Sequence, residues 1–201
     1  MDSAARIVNC FVAAAHEVGL EPPADTAIRH IIGLGLEEAV VALFPTADPA
    51  QRRAAVDSYR EHFIHRDTTG MTFFPGVESG LACLRQQGYL LAVATGKTRR
   101  GLQRALDETG AGRFFTATRC VDEALSKPHP QMLLDLLAMT GTGPADALMV
   151  GDTEYDMEMA RNADVAGLAV SYGVHTREQL MRHEPLDCLR SFTAVCEWLR
   201  R

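Results

Sequence analysis

The chain has no apolar run long enough for a membrane helix. A span needs roughly 18 apolar residues in succession, and no stretch approaches that length. No basic region followed by an apolar run opens the sequence, so no signal-peptide pattern is read there and a cytoplasmic protein is expected. Basic blocks are missing as well. Arginine pairs occur at Arg52-Arg53, Arg99-Arg100 and Arg200-Arg201, each isolated, and the formal net charge is -6. This excludes general nucleic-acid binding and leaves the pairs as solvated helix faces. The five cysteines, Cys10, Cys83, Cys120, Cys188 and Cys196, form no C-x-x-C pair and are odd in number. Their apolar surroundings predict buried, reduced thiols and a reducing compartment. Internal repeats and low-complexity segments are also absent.

What remains is an ordinary globular composition, 47% hydrophobic and 23% charged over 201 residues. That length suits a core domain with a modest insert. Residues 3–18 carry Ile7, Val8, Phe11, Val12, Ala15 and Val18 at helical spacing, with Asp2 or Ser3 as a cap and Gly19 as the stop. Pro22-Pro23 breaks the chain. Helical patterns follow at 24–32 and 36–44, separated by Gly33-Leu34-Gly35. Asp48-Pro49 then caps a longer helix to about His65. Residues 3–70 therefore read as helical throughout. After Phe74-Pro75-Gly76 the pattern changes to alternation: helix 77–87, strand 89–94, helix 98–109, strand-like 115–121, helix 129–140, strand 147–150, helix 154–162 and strand 167–170. The strands are too apolar to have a solvated face. An α/β fold is predicted, with a buried parallel sheet and helices on both sides.

Ligands in such sheets bind beyond the carboxyl ends of the strands. Past the strand 89–94 lie Thr95, Gly96 and Lys97, where a hydroxyl and nearby N–H groups can meet a phosphate oxygen, or simply form a turn. Past the strand 147–150 lies Gly151-Asp152-Thr153-Glu154-Tyr155-Asp156. Two carboxylates there suit a hard cation such as Mg2+. Equally, Asp152 could cap the next helix and Asp156 answer its dipole. Between them, Lys127 precedes Pro128 and is biased to extended backbone, its ammonium at the loop end of the sheet. His129, flanked by prolines in a helix-entry turn, reads as structural.

Hydroxyl, lysine and paired carboxylates in this order resemble the haloacid dehalogenase superfamily. Thr95 is similar to its second motif, Lys127 in Lys-Pro-His-Pro to its third, and Gly151-Asp152 with Asp156 to its fourth. Phe74-Pro75-Gly76-Val77 is similar to the junction where a helical cap rejoins the core, and Tyr172-Gly173 to the family's usual ending. Residues 3–75 resemble the four-helix cap of the phosphoglycolate phosphatase-like subfamily. The resemblance implies a cap at 1–75 and a Rossmann-like core at 76–201. It implies a phosphatase of a small phosphorylated metabolite, working as a monomer or homodimer through an aspartyl-phosphate. Thr95 and Lys127 would act in catalysis, and Thr95, Gly96 and Lys127 would bind phosphate. Mg2+ would sit at Asp152, with Asp156 behind it. A mutase or dehalogenase fits these residues less well. The cap selects the substrate in this family, so Gly33-Leu34-Gly35 and the His62–Arg66 stretch are candidates to reach the crevice, or else a plain turn and helix face. Phosphoglycolate suits the resemblance, with pyrophosphate or a nucleoside or sugar phosphate as other options.

The family's first motif, a strand followed by Asp-x-Asp-Gly-Thr-x-x-Asp-Ser, is represented here only by Asp2-Ser3. No Asp-x-Asp occurs in residues 1–201. By resemblance, the nucleophile, the second acid/base aspartate and a central strand are absent, so weak or no Mg2+ binding and an inactive chain are expected. The strands 89–94 and 147–150 should then pair directly or stay apart. Two readings follow: a longer natural protein that carries the motif upstream of Met1, or a non-catalytic phosphate-binding or regulatory protein.

Overall fold

Periodicity and capping account for the helical first third of the chain. The computed structural model describes residues 1–70 and 72–200, so Arg201 of the Arg200-Arg201 pair lies outside the described residues. Helices α1 (Ala4–Glu17), α2 (Asp25–His30), α3 (Leu36–Leu43) and α4 (Pro49–Glu61) follow one another, and a π-helical turn at His62–Arg66 ends the series. In α1 the residues repeating every three or four positions, Phe11, Ala14 and Ala15, are buried, as an amphipathic stripe requires. Asp48 starts α4 with a reciprocal capping box. Its carboxylate accepts from the N–H groups of Ala50 and Gln51, and Gln51 Oε1 accepts from Asp48 N. Two orphan donors are thereby satisfied. Phe11, Ile28, Val40, Phe44 and Val56 form this region's own apolar core.

The remainder alternates as predicted. Helix α5 (Val77–Gln86) leads to β1 (Ala92–Thr95), α6 (Arg99–Thr109), β2 (Ala117–Cys120), α7 (Gln131–Thr140), β3 (Leu148–Gly151), α8 (Glu154–Asn162) and β4 (Ala166–Val170). Helix α9 (Arg177–Met181), the two-residue β5 (Cys188–Leu189) and α10 (Phe192–Trp198) complete it, and the sequence reading did not include them. Strand β1 begins three residues later than Tyr89. Gly88 has φ +89° and Tyr89 N donates to Leu84 O, so the α5 terminus consumes these residues.

Pairing between the strands is parallel throughout, but among the described residues they form two sheets. One is β1-β2 and the other is β3-β4-β5. Strands β1 and β3 do not pair with each other; they stand apart. A cavity of about 740 Å³ lies between them, lined by Leu91, Val93, Leu148 and Val150, with Leu133 and Phe192 from the covering helices. The expectation of strands without a solvated face therefore fails here: Ala92 is exposed and Val93 and Val150 are only half-buried. Each strand has one hydrogen-bonded neighbour, so its facing edge is open, whereas Leu168 and Ala169 of β4, flanked on both sides, are fully buried.

None of the five cysteines is bridged, and Cys10, Cys120, Cys188 and Cys196 are buried. Burial pushes the Cys10 thiol up to about 12 and the Cys120 thiol up to about 11. Thiolate is the reactive form. One thiol per folded chain, Cys83, should therefore react quickly with Ellman's reagent, and the other four only on unfolding. Cys83→Ser should remove the fast phase; a fast phase surviving that change would contradict this packing.

Candidate functional site

Three loops at the carboxyl ends of β1 and β3 and ahead of α7 meet over one cavity of about 720 Å³. Every residue singled out from the sequence for chemistry lines it: Thr95, Gly96, Lys127, Asp152 and Asp156. Thr95 ends β1, and its Oγ1 accepts from Lys97 N at 3.1 Å. Its own O–H remains available as a donor. Asp152 follows β3 directly. Its Oδ2 accepts from Val174 N at 2.9 Å and its main-chain oxygen accepts from His175 N at 3.1 Å. His129 does not line the cavity. It is exposed, and its Nδ1 accepts from Gln131 N in the turn before α7.

Lys127 and Asp156 form the buried centre. The Lys127 ammonium donates to Asp156 Oδ1 at 2.6 Å, with the two side chains 7% and 5% exposed. The other oxygen of Asp156 accepts from Thr153 N at 3.1 Å and from the Thr153 hydroxyl at 2.8 Å. Thr153 in turn accepts from Asp156 N, completing a capping box at the start of α8. Thr153, and not Asp152, is thus the cap. Asp156 engages one oxygen with the helix start and the other with Lys127, so it orients the lysine and is poorly placed to hold a cation. Among the described residues no group of three or more His, Cys, Asp or Glu could hold a metal ion.

Burial raises the Asp152 carboxyl above its ordinary value, and the charge of Asp156 adds to the rise; the Val174 N–H and Lys127 oppose it. A cation or a hydrogen-bond donor arriving at Asp152 would relieve that cost.

Lys97 is set apart from the other cations. Its ammonium lies 5.4 Å from the Phe63 ring centroid. Burial, helped by the charge of Arg6, lowers it from 10.5 to about 8. A lysine depressed in the folded state binds fewer protons there than in the unfolded chain between about pH 8 and 10.5, so stability rises with pH across that window. Below about pH 8 both states are charged and the burial cost is present in full. Urea unfolding should therefore show stability rising between pH 8 and 10.5 more steeply in the parent than in Lys97→Met. Parallel curves would show that Lys97 titrates normally.

The helical region reaches this crevice by two segments. The Gly33-Leu34-Gly35 backbone presses onto the core loops. A Cβ on Gly96 would lie 2.8 Å from Leu34 O, and one on Gly33 (φ +114°) would lie 3.0 Å from Thr153 Oγ1. Gly35 N donates to Ser126 Oγ at 2.9 Å. The absence of side chains permits the close approach. Of the His62–Arg66 stretch, Phe63, Ile64 and His65 line the cavity, while His62 and Arg66 turn away to Glu17 at 3.0 and 3.1 Å. Thr153 and Lys97 were given no site role from the sequence, and Phe63 was covered only as part of the His62–Arg66 stretch. Only Thr153 had a readable signal, a threonine three residues ahead of Asp156.

A family profile described as haloacid dehalogenase-like hydrolase matches residues 1–170. The Dickeya dadantii protein named Probable phosphatase IndB is 36% identical over 201 residues, covering 97% of this chain and 86% of that protein. A phosphoglycolate phosphatase of Agrobacterium fabrum is 29% identical over 200 residues, covering 97% of this chain and 85% of its own. Among solved structures, a haloacid dehalogenase-like family hydrolase from Streptococcus pneumoniae superposes with a TM-score of 0.86. It is 24% identical, with 98% of this chain and 92% of the other covered.

Proposed function

The chain belongs to the haloacid dehalogenase-like hydrolase family, and we propose that its crevice binds the phosphoryl group of a small organic phosphate monoester of the phosphoglycolate kind. The observation that carries this is the convergence of Thr95, Lys127 and Asp152 on one cavity. The names of the relatives from Dickeya dadantii and Agrobacterium fabrum point the same way. The Lys127 ammonium supplies positive charge and the Thr95 hydroxyl and Gly96 N–H supply donors, the set that stabilises a transferring phosphoryl group. The Asp156 carboxylate holds Lys127 in place, so the charge is preorganised. The helical region at 1–75 acts as a cap over the core at 76–201, with Gly33-Leu34 and Phe63 facing the ligand.

Residues 1–201 lack an Asp-x-Asp, and with it the carboxylate nucleophile this chemistry requires. Magnesium, when bound, would shield the phosphoryl charge. The residues present do not fit it: with Asp156 committed on both oxygens, Asp152 alone offers a carboxylate, and one ligand makes a poor site. The slot between β1 and β3 suits a further strand ending at the crevice, where the missing carboxylates would belong. Residues 1–201 by themselves therefore bind phosphate without turning it over. A non-catalytic phosphate-binding role is the second reading, favoured by the same absence.

Turnover tests this. Magnesium-dependent phosphate release from a panel of small phosphate esters is measured for residues 1–201 and for the same residues preceded by a strand bearing Asp-x-Asp. Release by the longer form at least about a thousandfold faster is expected, since typical turnover is about 1–10³ s⁻¹ and losing a nucleophile removes most of it. Equal rates would defeat the argument from the missing carboxylate, and no release by either would favour the binding role.

A further inference from the structure

Among the described residues, the lysine and arginine side chains that line the crevice are paired with a carboxylate except Arg100 and the half-buried Lys97. Arg6 meets Asp67 at 3.7 Å, Arg29 meets Asp25 at 2.7 Å and Arg60 meets Glu37 at 2.6 Å. Arg104 meets Glu108 at 2.7 Å and Lys127 meets Asp156 at 2.6 Å. Arg100 has no acidic partner among the described residues, but it is exposed to solvent. Lys97 has none either, and it makes no side-chain hydrogen bond among the described residues. It is drawn in under the ring of Phe63, which carries the Arg6 guanidinium at 4.7 Å as well. A ring quadrupole shared between two cations is weak compensation for a lost hydration shell.

Position makes this unpaired charge informative. Lys97 stands two residues beyond Thr95, so their Cα atoms are no more than about 7 Å apart. The loop is pinned by the Lys97 N–H to Thr95 Oγ1 bond, which fixes Lys97 against the end of β1. Its ammonium then extends toward Phe63 on the helical side of the crevice. A ligand whose phosphate sits at Thr95 and Lys127 would turn its other end toward Lys97.

We infer that Lys97 is the subsite for a second anionic group of the ligand, a carboxylate on the ester's carbon tail, and that it selects acid-bearing phosphate monoesters over those with neutral tails. This rests on the phosphate site of Thr95 and Lys127. The lowered proton affinity of the free lysine fits the same picture: the site is strained by an uncompensated charge that a carboxylate would satisfy.

Calorimetric titration of residues 1–201 at pH 7 with inorganic phosphate, ethyl phosphate and phosphoglycolate separates the possibilities. Phosphoglycolate should bind about tenfold or more tighter than ethyl phosphate, the worth of one charge-assisted hydrogen bond. In Lys97→Met that ratio should fall to about one, and in Lys97→Arg it should stay above one. Thermal melting of both variants reports that they are folded. If phosphate and both esters bind but the parent shows no preference, or Lys97→Met keeps the preference, the Lys97 subsite is wrong and the phosphate site stands. If none of the three ligands binds, both are wrong.

Discussion

Asp156→Ala should lower the folding free energy by about 3–5 kcal/mol, the cost of leaving a buried charge without its partner. Lys127 donates to Asp156 at 2.6 Å with both side chains almost fully enclosed. Truncating the carboxylate strands that ammonium and also removes the acceptor that closes the α8 capping box. Losing such a box adds about 0.5–2 kcal/mol. Urea unfolding at pH 7 checks this. A loss below about 1 kcal/mol, the size of an exposed ion pair, would mean that water reaches the pair in solution.

Lys127→Met should be costly in two ways. It leaves the Asp156 carboxylate buried beside methionine, with a similar penalty of about 3–5 kcal/mol. It should also weaken inorganic phosphate binding by about tenfold to a hundredfold, since a hydrogen bond from a charged group contributes about 1.5–3 kcal/mol. The double variant Lys127→Met/Asp156→Asn should recover most of the stability while recovering none of the binding. The asparagine oxygen can still accept from Thr153, and no buried charge remains. Replacing a buried ion pair by neutral groups of similar volume is often neutral or stabilising. Equal stability losses in the single and double variants would mean that lost packing, and not the stranded charge, sets the cost. The double variant also separates folding from binding, which neither single change can do.

Much of this site was legible because strand ends are legible. Thr95 and Asp152 were placed by the rule that residues just past short apolar runs face the crevice. Asp156 was legible as a site residue but not in its role. Its spacing from Asp152 suggested a shared cation, whereas Thr153, three residues earlier, draws it into a capping box and Lys127 takes its other oxygen. Lys97 was named beside Thr95 and Gly96 in the turn after the strand but given no role. Its ammonium lies by the ring of Phe63, from the helical region, and no local pattern encodes that contact. Strand β5 has two residues and is held by pairing to β4, too short for periodicity to register. The separation of β1 from β3 was one of two outcomes left open by the sequence, direct pairing being the other, and the exposure of Ala92 was not anticipated. An apolar run reports that a strand wants burial, and burial on an open edge depends on a neighbour the run does not specify.

Phosphate binding tests the central claim most directly: that Thr95, Gly96 and Lys127 form a site already built to hold a phosphoryl group. Inorganic phosphate is titrated calorimetrically into residues 1–201 and into Lys127→Met/Asp156→Asn. The account predicts a single saturable site in the parent and binding about tenfold to a hundredfold weaker in the folded double variant. Indistinguishable titrations of the two proteins, or no saturable binding to the parent, would contradict it.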